Sequence, residues 1–216
     1  MSNIGRHILE SFQFVSRVGS ECDQLSKLLK QEISELVASD DEVSRLMRAE
    51  GHWIGSDETD EWGWVSTAVG YSLPIKVKPK RTVNRYLSFQ ISLSGKGVAA
   101  VDNSEPLVHV LWWDVPIDFE ECWMGFPLDV DENSPFSLES GVLFRWASYD
   151  ARDSQWVYSL RLTSLNTIRD VETKIVGPVR SLLCGGTVEE SLPLALEGLV
   201  HYTAVDDKIG HYRIGT

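Results

Sequence analysis

The chain has 216 residues, of which 43% are hydrophobic and 24% are charged, and its formal net charge is −12. This balance excludes collagen-like, coiled-coil-only and wholly disordered proteins, and no segment approaches the roughly 20 apolar residues that a membrane-spanning helix needs. Because the acidic excess repels phosphates, we expect a soluble protein that binds neither nucleic acid directly nor a membrane surface.

The first 50 residues predict helices. Apolar residues recur every three or four positions in two stripes, Ile4–Val15 and Leu25–Val37. Gly19 leaves open whether these stripes belong to two helices or to one. A short third helix is expected from Asp40 to Gly51. The stripe at 25–37 can close against the rest of the chain or against a second copy, so a homodimer through the helix at 20–38 is an open alternative.

From residue 61 the pattern changes to that of strands, and we expect five to six of them between about 61 and 162. Residues 86–94 alternate apolar and polar side chains, which predicts one core face and one polar face. The apolar run 107–113 predicts a strand covered on both faces. Residues 142–149 and 155–162 are expected to form a hairpin.

Helical spacing returns between about 166 and 200. The pair Gly177-Pro178 should kink or divide the helix, and Cys184-Gly185-Gly186 should end it. Thr187 and Glu190 form a capping-box pattern for a last helix that runs to about Leu199.

This order of elements predicts an α+β fold. The antiparallel sheet is expected to be packed by N-terminal helices (about 4–50) and C-terminal helices (about 166–200). Residues 1–216 are expected to form a single domain, and any sub-boundary is expected at 51–60.

Eight tryptophans give this chain an unusual aromatic content. Six of them fall inside the predicted strands and are expected mostly in the core: Trp62, Trp64, Trp112, Trp113, Trp146 and Trp156. Neighbouring strand residues point to opposite faces, so of Trp112 and Trp113 one must meet the helices and the other a second layer, a partner or a ligand. Trp53 and Trp123 fall in connections and are expected to be exposed.

The cysteines predict reduced thiols. Cys22, Cys122 and Cys184 are odd in number and far apart, and they form no C-x-x-C pair, so neither a disulfide framework nor a zinc site is expected. The first twenty residues contain no uninterrupted apolar stretch of a secretory signal. We therefore expect a cytoplasmic protein, and the motifs predict no cofactor.

Residues 87–140 contain ten carboxylates and one cation, Lys96. The stretch is typical of a solvated acidic rim, and alternatively of a docking surface for a basic protein. On the second interpretation the partner-binding candidates are Asp118, Glu120, Glu121, Trp123, Asp129, Asp131 and Glu132. The basic run at 76–81 is expected to protect a sheet edge or to pair with carboxylates.

Catalytic motifs are missing from the sequence, and only one weak catalytic candidate remains. His109 lies in an apolar strand five residues before Asp114, so a general base oriented by a carboxylate is conceivable. The odd separation places the two side chains on opposite faces of a regular strand. A hydrogen-bonded structural histidine is the favoured interpretation.

These patterns favour a non-enzymatic binding protein of the immunity, antitoxin, inhibitor or chaperone kind. Its acidic, aromatic-bearing surface would engage a basic protein partner. One alternative is an enzyme with hydrolase-type acid–base chemistry whose residues converge only in the fold. Another is a nucleic-acid mimic, whose carboxylates would take the place of phosphates.

Overall fold

The computed structural model describes residues 3–100, 105–120, 124–128, 136–146, 154–205 and 210–215. Its helices are α1 (Ile4–Ser39), α2 (Val43–Leu46), α3 (Ile168–Val171), α4 (Gly177–Leu183) and α5 (Val188–Ser191). Its strands are β1 (Met47–Ala49), β2 (Ile54–Thr59), β3 (Ser66–Val77), β4 (Arg85–Ser92), β5 (Leu107–Trp113), β6 (Phe136–Glu139), β7 (Leu143–Trp146), β8 (Gln155–Arg161), β9 (Tyr202–Ala204) and β10 (Tyr212–Ile214).

Eight of these strands form one antiparallel sheet in the order β1-β3-β4-β5-β8-β7-β6, with β2 also paired to β3. The 12-residue strand β3 accommodates both neighbours because β2 pairs with its first half and β1 with its last three residues. Strands β9 and β10 form a separate two-stranded sheet. The α+β prediction is therefore confirmed, and the main sheet is larger than the expected five to six strands.

One face of the main sheet is covered by α1 and the C-terminal helices. Leu29 and Ile33 of α1 pack into the same core as Phe89 of β4 and Val110 of β5, and all four are completely buried. The helices close this face because their apolar stripes match its alternating apolar side chains.

The opposite face is covered by connecting segments and by β9. Its core contains Leu111 and Trp113 from β5, together with Ile117, Phe126 and Tyr202. All seven residues of β5 are buried, as predicted for a strand covered on both sides. Trp112 belongs to the core that contains the helices and Trp113 to this second core, which confirms the opposite placement of the pair.

The predicted polar face of β4 is present, but it does not face the solvent. Ser88 and Gln90 on this face are both completely buried. Ser88 donates a hydrogen bond to the hydroxyl of Ser72, and the side-chain amide of Gln90 forms two hydrogen bonds with the backbone of Phe126. Polar side chains are tolerated here because the second layer supplies partners for them.

The N-terminal helices also differ from the prediction. Gly19 lies within one continuous 36-residue helix, so the two predicted stripes share α1. The third predicted helix ends at Leu46, because Met47–Ala49 pair with β3 as strand β1. Residues 54–59, the predicted place of a sub-boundary, form the edge strand β2.

The C-terminal helical region follows the prediction more closely. A π-helical segment, Glu172–Val176, precedes α4, which begins at Gly177-Pro178. Helix α4 ends at Cys184, and the predicted capping box of Thr187 and Glu190 is present. Helix α5 ends at Ser191 and not near Leu199, because Pro193 follows.

Candidate binding surface

The predicted acidic site lies only partly within the described residues. Asp118 bridges to Met124 through the backbone, and its carboxylate accepts a hydrogen bond from the backbone N–H of Glu120 at 2.8 Å. Glu120 is exposed. Glu121, Trp123, Asp129, Asp131 and Glu132 lie outside the described residues, so the docking role of this stretch stays a prediction.

The weak catalytic candidates do not come together. His109 is completely buried, whereas Asp114 follows the end of β5 and is exposed. The hydrogen bonds of the imidazole join it to the Ser159 hydroxyl at 2.8 Å and to the Lys96 carbonyl at 3.1 Å. His109 is therefore buried and hydrogen-bonded through both ring nitrogens.

The tautomer of His109 follows from a chain of hydrogen bonds. The Val98 N–H donates to the Tyr202 hydroxyl, which lies 2.7 Å from the Ser159 hydroxyl. Since the Lys96 carbonyl only accepts, the imidazole Nε2 must carry the proton, and Nδ1 accepts from Ser159. Burial lowers the pKa of His109 from 6.5 to about 4. Both ring nitrogens are thus engaged in holding the second layer on the sheet.

Two tryptophans that were predicted in the core are instead the most exposed large apolar residues of the molecule's described part. Trp62 is 74% exposed and Trp64 is 75% exposed. They lie in the connection between β2 and β3 and not in a strand, because strand β3 begins only at Ser66. We call residues 57–65 the Trp hairpin.

The Trp hairpin has a defined turn. The Asp60 N–H donates to the Val65 carbonyl at 2.8 Å, and the Gly63 N–H donates to the Asp60 carbonyl at 2.9 Å. The Asp60 carboxylate accepts hydrogen bonds from the backbone N–H groups of Trp64 and Val65 at 2.7 and 3.1 Å. Gly63 has φ of 70°, a conformation that glycine adopts without steric cost. Both indoles are therefore presented on an ordered backbone.

Four carboxylates precede the two indoles within the Trp hairpin. Asp57, Glu58 and Glu61 are exposed, and Asp60 is half-buried beneath the turn. The four residues give the Trp hairpin a formal charge of −4, because it contains no lysine or arginine. The surface that the sequence predicted for 118–132, acidic and aromatic, is present here at other residues.

Helix α1 adds a second apolar surface beside the Trp hairpin. The rings of Phe12 and Trp64 lie 6.5 Å apart between centroids. Along the first half of α1 six large apolar side chains are between 43% and 65% exposed: Ile4, Ile8, Leu9, Phe12, Phe14 and Val15. Exposed apolar side chains concentrated in this way are typical of interaction sites.

A cleft of about 320 Å³ lies where α1 meets the body of the protein. Val18, Cys22 and Leu25 of α1 form one wall, and the segments that follow β4, precede β5 and follow β8 form the others: Leu93, Pro106, Leu162, Thr163, Leu165 and Asn166. Glu21 also lines it. The cleft is therefore mainly apolar, with polar groups at its edge.

Trp53 is a further correction, because it was expected to be exposed. Its ring packs 5.7 Å from that of Phe89, and its indole N–H donates to the Ser34 hydroxyl at 3.0 Å. The sequence does contain a signal for the exposure of Trp62 and Trp64. Asp60 and Gly63 are turn formers that bracket Trp62, and they favour a loop over a strand there.

The predicted homodimer face at 20–38 is already covered in the monomer. Leu29, Ile33 and Leu36 of that face pack into the chain's own core. The basic run likewise contacts its own chain: Lys76 pairs with Glu50 at 2.6 Å, and Lys78 donates to the Ser44 carbonyl at 2.7 Å.

In the described part of the chain, no three or more His, Cys, Asp or Glu side chains gather where they could hold a metal ion. None of the helices that the structure describes combines the length and the apolar character of a membrane span.

Comparisons with known protein families, with curated proteins and with solved structures found no match to this chain.

Proposed function

We propose that the protein is a non-enzymatic binding protein, of the immunity, antitoxin, inhibitor or chaperone kind, and that it engages a basic protein partner through the Trp hairpin. The observation that supports this most directly is the exposure of Trp62 and Trp64, each about three-quarters accessible on a hydrogen-bonded turn. The acidic stretch at 118–132 is part of the same proposal as a steering region.

Exposed indoles are effective anchors for a partner. Tryptophan is enriched among the residues whose truncation costs an interface the most, since its large ring is desolvated when a partner covers it. The turn fixed by Asp60 adds to this effect, because an ordered surface loses less conformational entropy on binding.

The negative charge of the Trp hairpin favours a basic partner. The Trp hairpin has a charge of −4 within a chain of net charge −12, so both the local and the long-range fields attract cations. A partner with a basic surface would associate quickly and would pair its lysines or arginines with Asp57, Glu58 and Glu61.

Neither alternative function gains support from the described residues. His109 and its hydrogen-bond partner Ser159 are both completely buried, so the imidazole is out of reach of a substrate in the solvent. Five of the described carboxylates are paired with cations of the same chain and are therefore less available to take the place of phosphates: Asp40 with Arg180, Glu50 with Lys76, Glu105 with Arg161, Glu139 with Arg145 and Asp170 with Lys174.

A cytoplasmic location belongs to the same proposal. Cys22 and Cys184 are free thiols, and Cys184 is exposed. An accessible unpaired thiol is typical of proteins in a reducing compartment.

The test is a binding measurement with matched variants. The tagged full chain is used to retain a partner from the native host, and affinities for the purified partner are measured for the wild type, Trp62→Ser, Trp64→Ser and Leu194→Ser. Leu194 is the control because it is 63% exposed outside the Trp hairpin. We expect each tryptophan variant to weaken binding at least about tenfold and Leu194→Ser to leave it unchanged. Equal affinities for all four proteins, or an acidic partner, would contradict the proposal.

A further inference from the structure

The first half of α1 presents an apolar face that its own chain does not cover. Residues 3–17 are all exposed, whereas Cys22, Leu29 and Ile33 further along the helix are buried. At 1.5 Å per residue, residues 4–18 extend over about 22 Å of helix. We call the apolar face of this part, formed by Ile4, Ile8, Phe12 and Val15, the helix seam.

The helix seam continues the buried stripe of the same helix. From Ile8 the positions that face one way follow alternating steps of four and three: 8, 12, 15, 19, 22, 26, 29, 33 and 36. The last five of these positions are buried against the chain's own sheet. The same heptad spacing therefore runs through both halves of α1, and the first half stays exposed although Phe12 meets the ring of Trp64. This spacing is that of helix–helix packing.

We propose that a second copy of this chain covers the helix seam, so that the protein is a homodimer whose α1 helices pair over residues 4–18. The charge pattern supports self-pairing. The positions that flank the seam are Leu9, Ser11, Ser16 and Val18, and none is charged. Arg6, Glu10 and Arg17 lie on the outer face of the helix. Two copies can therefore pair without like-charge repulsion between the flanking positions of their helices.

The fold permits only an antiparallel pair. In a parallel pair the second helix would continue alongside residues 22–36, where the chain's own sheet already covers the seam. In an antiparallel pair the second helix leaves past Ile4, away from that sheet. The pairing is then isologous about an axis near residue 11, which is the commonest symmetry of protein dimers.

The antiparallel arrangement gives the cleft beside α1 an occupant. The cleft is lined by Val18, Cys22 and Leu25, which lie directly after the exposed half of the helix. The N-terminal turn of the second copy's helix would end at this cleft. Its Ile4 or Ile8 side chain fits the mainly apolar lining.

The buried area is adequate for a dimer. With about 150–250 Å² for a whole aromatic side chain and somewhat less for an aliphatic one, the exposed parts of Phe12, the aliphatic seam residues and the flanking Leu9 offer roughly 500 Å² per chain. The pair would bury about 1,000 Å², the lower bound of specific interfaces, so we expect a dissociation constant on the order of micromolar.

Self-association is independent of the proposed function, because it is measured on the purified chain without any partner. Sedimentation velocity of the full chain is recorded from well below to well above micromolar concentration. The mass should rise from 24.3 kDa towards twice that value. Ile8→Glu should weaken the dimer by at least about 30-fold, since it would bury a charge in an apolar seam.

Gln13→Glu is the matched control. It adds the same charge to the outer face of the same helix and should leave the dimer intact. Trp62→Ser, which tests the partner site, should also sediment as the wild type does. A wild-type chain that stays monomeric at hundreds of micromolar, or equal dissociation by Ile8→Glu and Gln13→Glu, would overturn the proposal. A monomer that instead binds phosphatidylcholine vesicles or the basic partner through Ile8 would assign the seam to that occupant.

Spin labels test the orientation. Cysteines at Gln13 and at Gln24, both exposed, are labelled in a background whose three native cysteines are replaced by serine and whose sedimentation is first shown to be unchanged. An antiparallel pair centred near residue 11 places the two copies' labels at 24 roughly 30 Å further apart along the axis than those at 13. Equal distances at both positions would indicate a parallel pair and would contradict the geometry inferred here.

Discussion

The buried imidazole of His109 illustrates how one side chain can make stability depend on pH. Its pKa is about 4 in the folded protein because burial disfavours the imidazolium. In the unfolded chain it returns to about 6.5. Below pH 6.5 the unfolded state therefore binds a proton, whereas the folded state binds this proton only when the pH falls to about 4. Stability is lost as pH falls through this window, by on the order of 3 kcal/mol.

His109→Gln should remove most of that dependence. We expect this variant to be less stable than the wild type at pH 7.5, because the hydrogen bonds to Ser159 and Lys96 are perturbed, but to lose less stability between pH 7 and pH 4.5. The measurement is the free energy of unfolding by urea across this range. His52→Gln, at an exposed histidine, is the control. Identical pH profiles for wild type and His109→Gln would contradict the assignment.

Among the elements, α1 combines two environments in one regular helix. Residues 22–37 contribute side chains to the core, whereas residues 4–18 contain the exposed helix seam. The energetic consequence is that the same kind of substitution should have different effects along the helix. Burial, and not helix propensity, decides the difference.

Leu29→Ala and Ile8→Ala provide the comparison. Leu29 is completely buried, so its truncation should cost about 2–5 kcal/mol of unfolding free energy through lost burial and a residual cavity. Ile8→Ala should change the unfolding free energy of the monomer by less than about 0.5 kcal/mol, since the side chain is exposed there. Both are measured by urea unfolding at protein concentrations well below micromolar. A large loss for Ile8→Ala under these conditions would show that the seam is covered within the monomer.

The Trp hairpin is the second element whose exposure depends on its position in the fold. Strand β2 is an edge strand, and its tip extends the sheet to the side of α1, where Trp64 meets Phe12. The hairpin and the helix seam thus lie side by side but differ in charge. The acidic hairpin favours a basic partner, whereas the uncharged seam favours pairing with the seam of a second copy.

The electrostatics of the whole molecule should govern how fast a basic partner arrives. Replacing Asp57, Glu58 and Glu61 by lysine adds six charges and changes the net charge from −12 to −6. We expect slower association and a weaker dependence of the association rate on salt. The control is a triple variant of equal charge change, Glu35→Lys, Asp114→Lys and Glu172→Lys, at exposed positions outside the hairpin. Rates are measured by stopped flow from low to physiological ionic strength. If both triple variants slow association equally, the net charge and not the Trp hairpin directs the partner.

The sequence by itself determined the features that depend on local backbone geometry. Helical and strand periods predicted the α+β class, the doubly covered strand β5 and the capping box at Thr187 and Glu190. The same local rules placed Trp112 and Trp113 in different cores, because adjacent strand residues point to opposite faces.

Only the tertiary structure decided which of these surfaces are covered. The apolar stripe of α1 has one spacing throughout, yet the sheet reaches only its second half. Ser88 and Gln90 resemble solvent-facing residues, but a layer formed by distant segments buries them. Trp62 and Trp64 resemble core residues, but the turn at Asp60 carries them past the end of the sheet. Burial depends on what the rest of the chain places opposite a residue, and that information is not contained in the spacing of its neighbours.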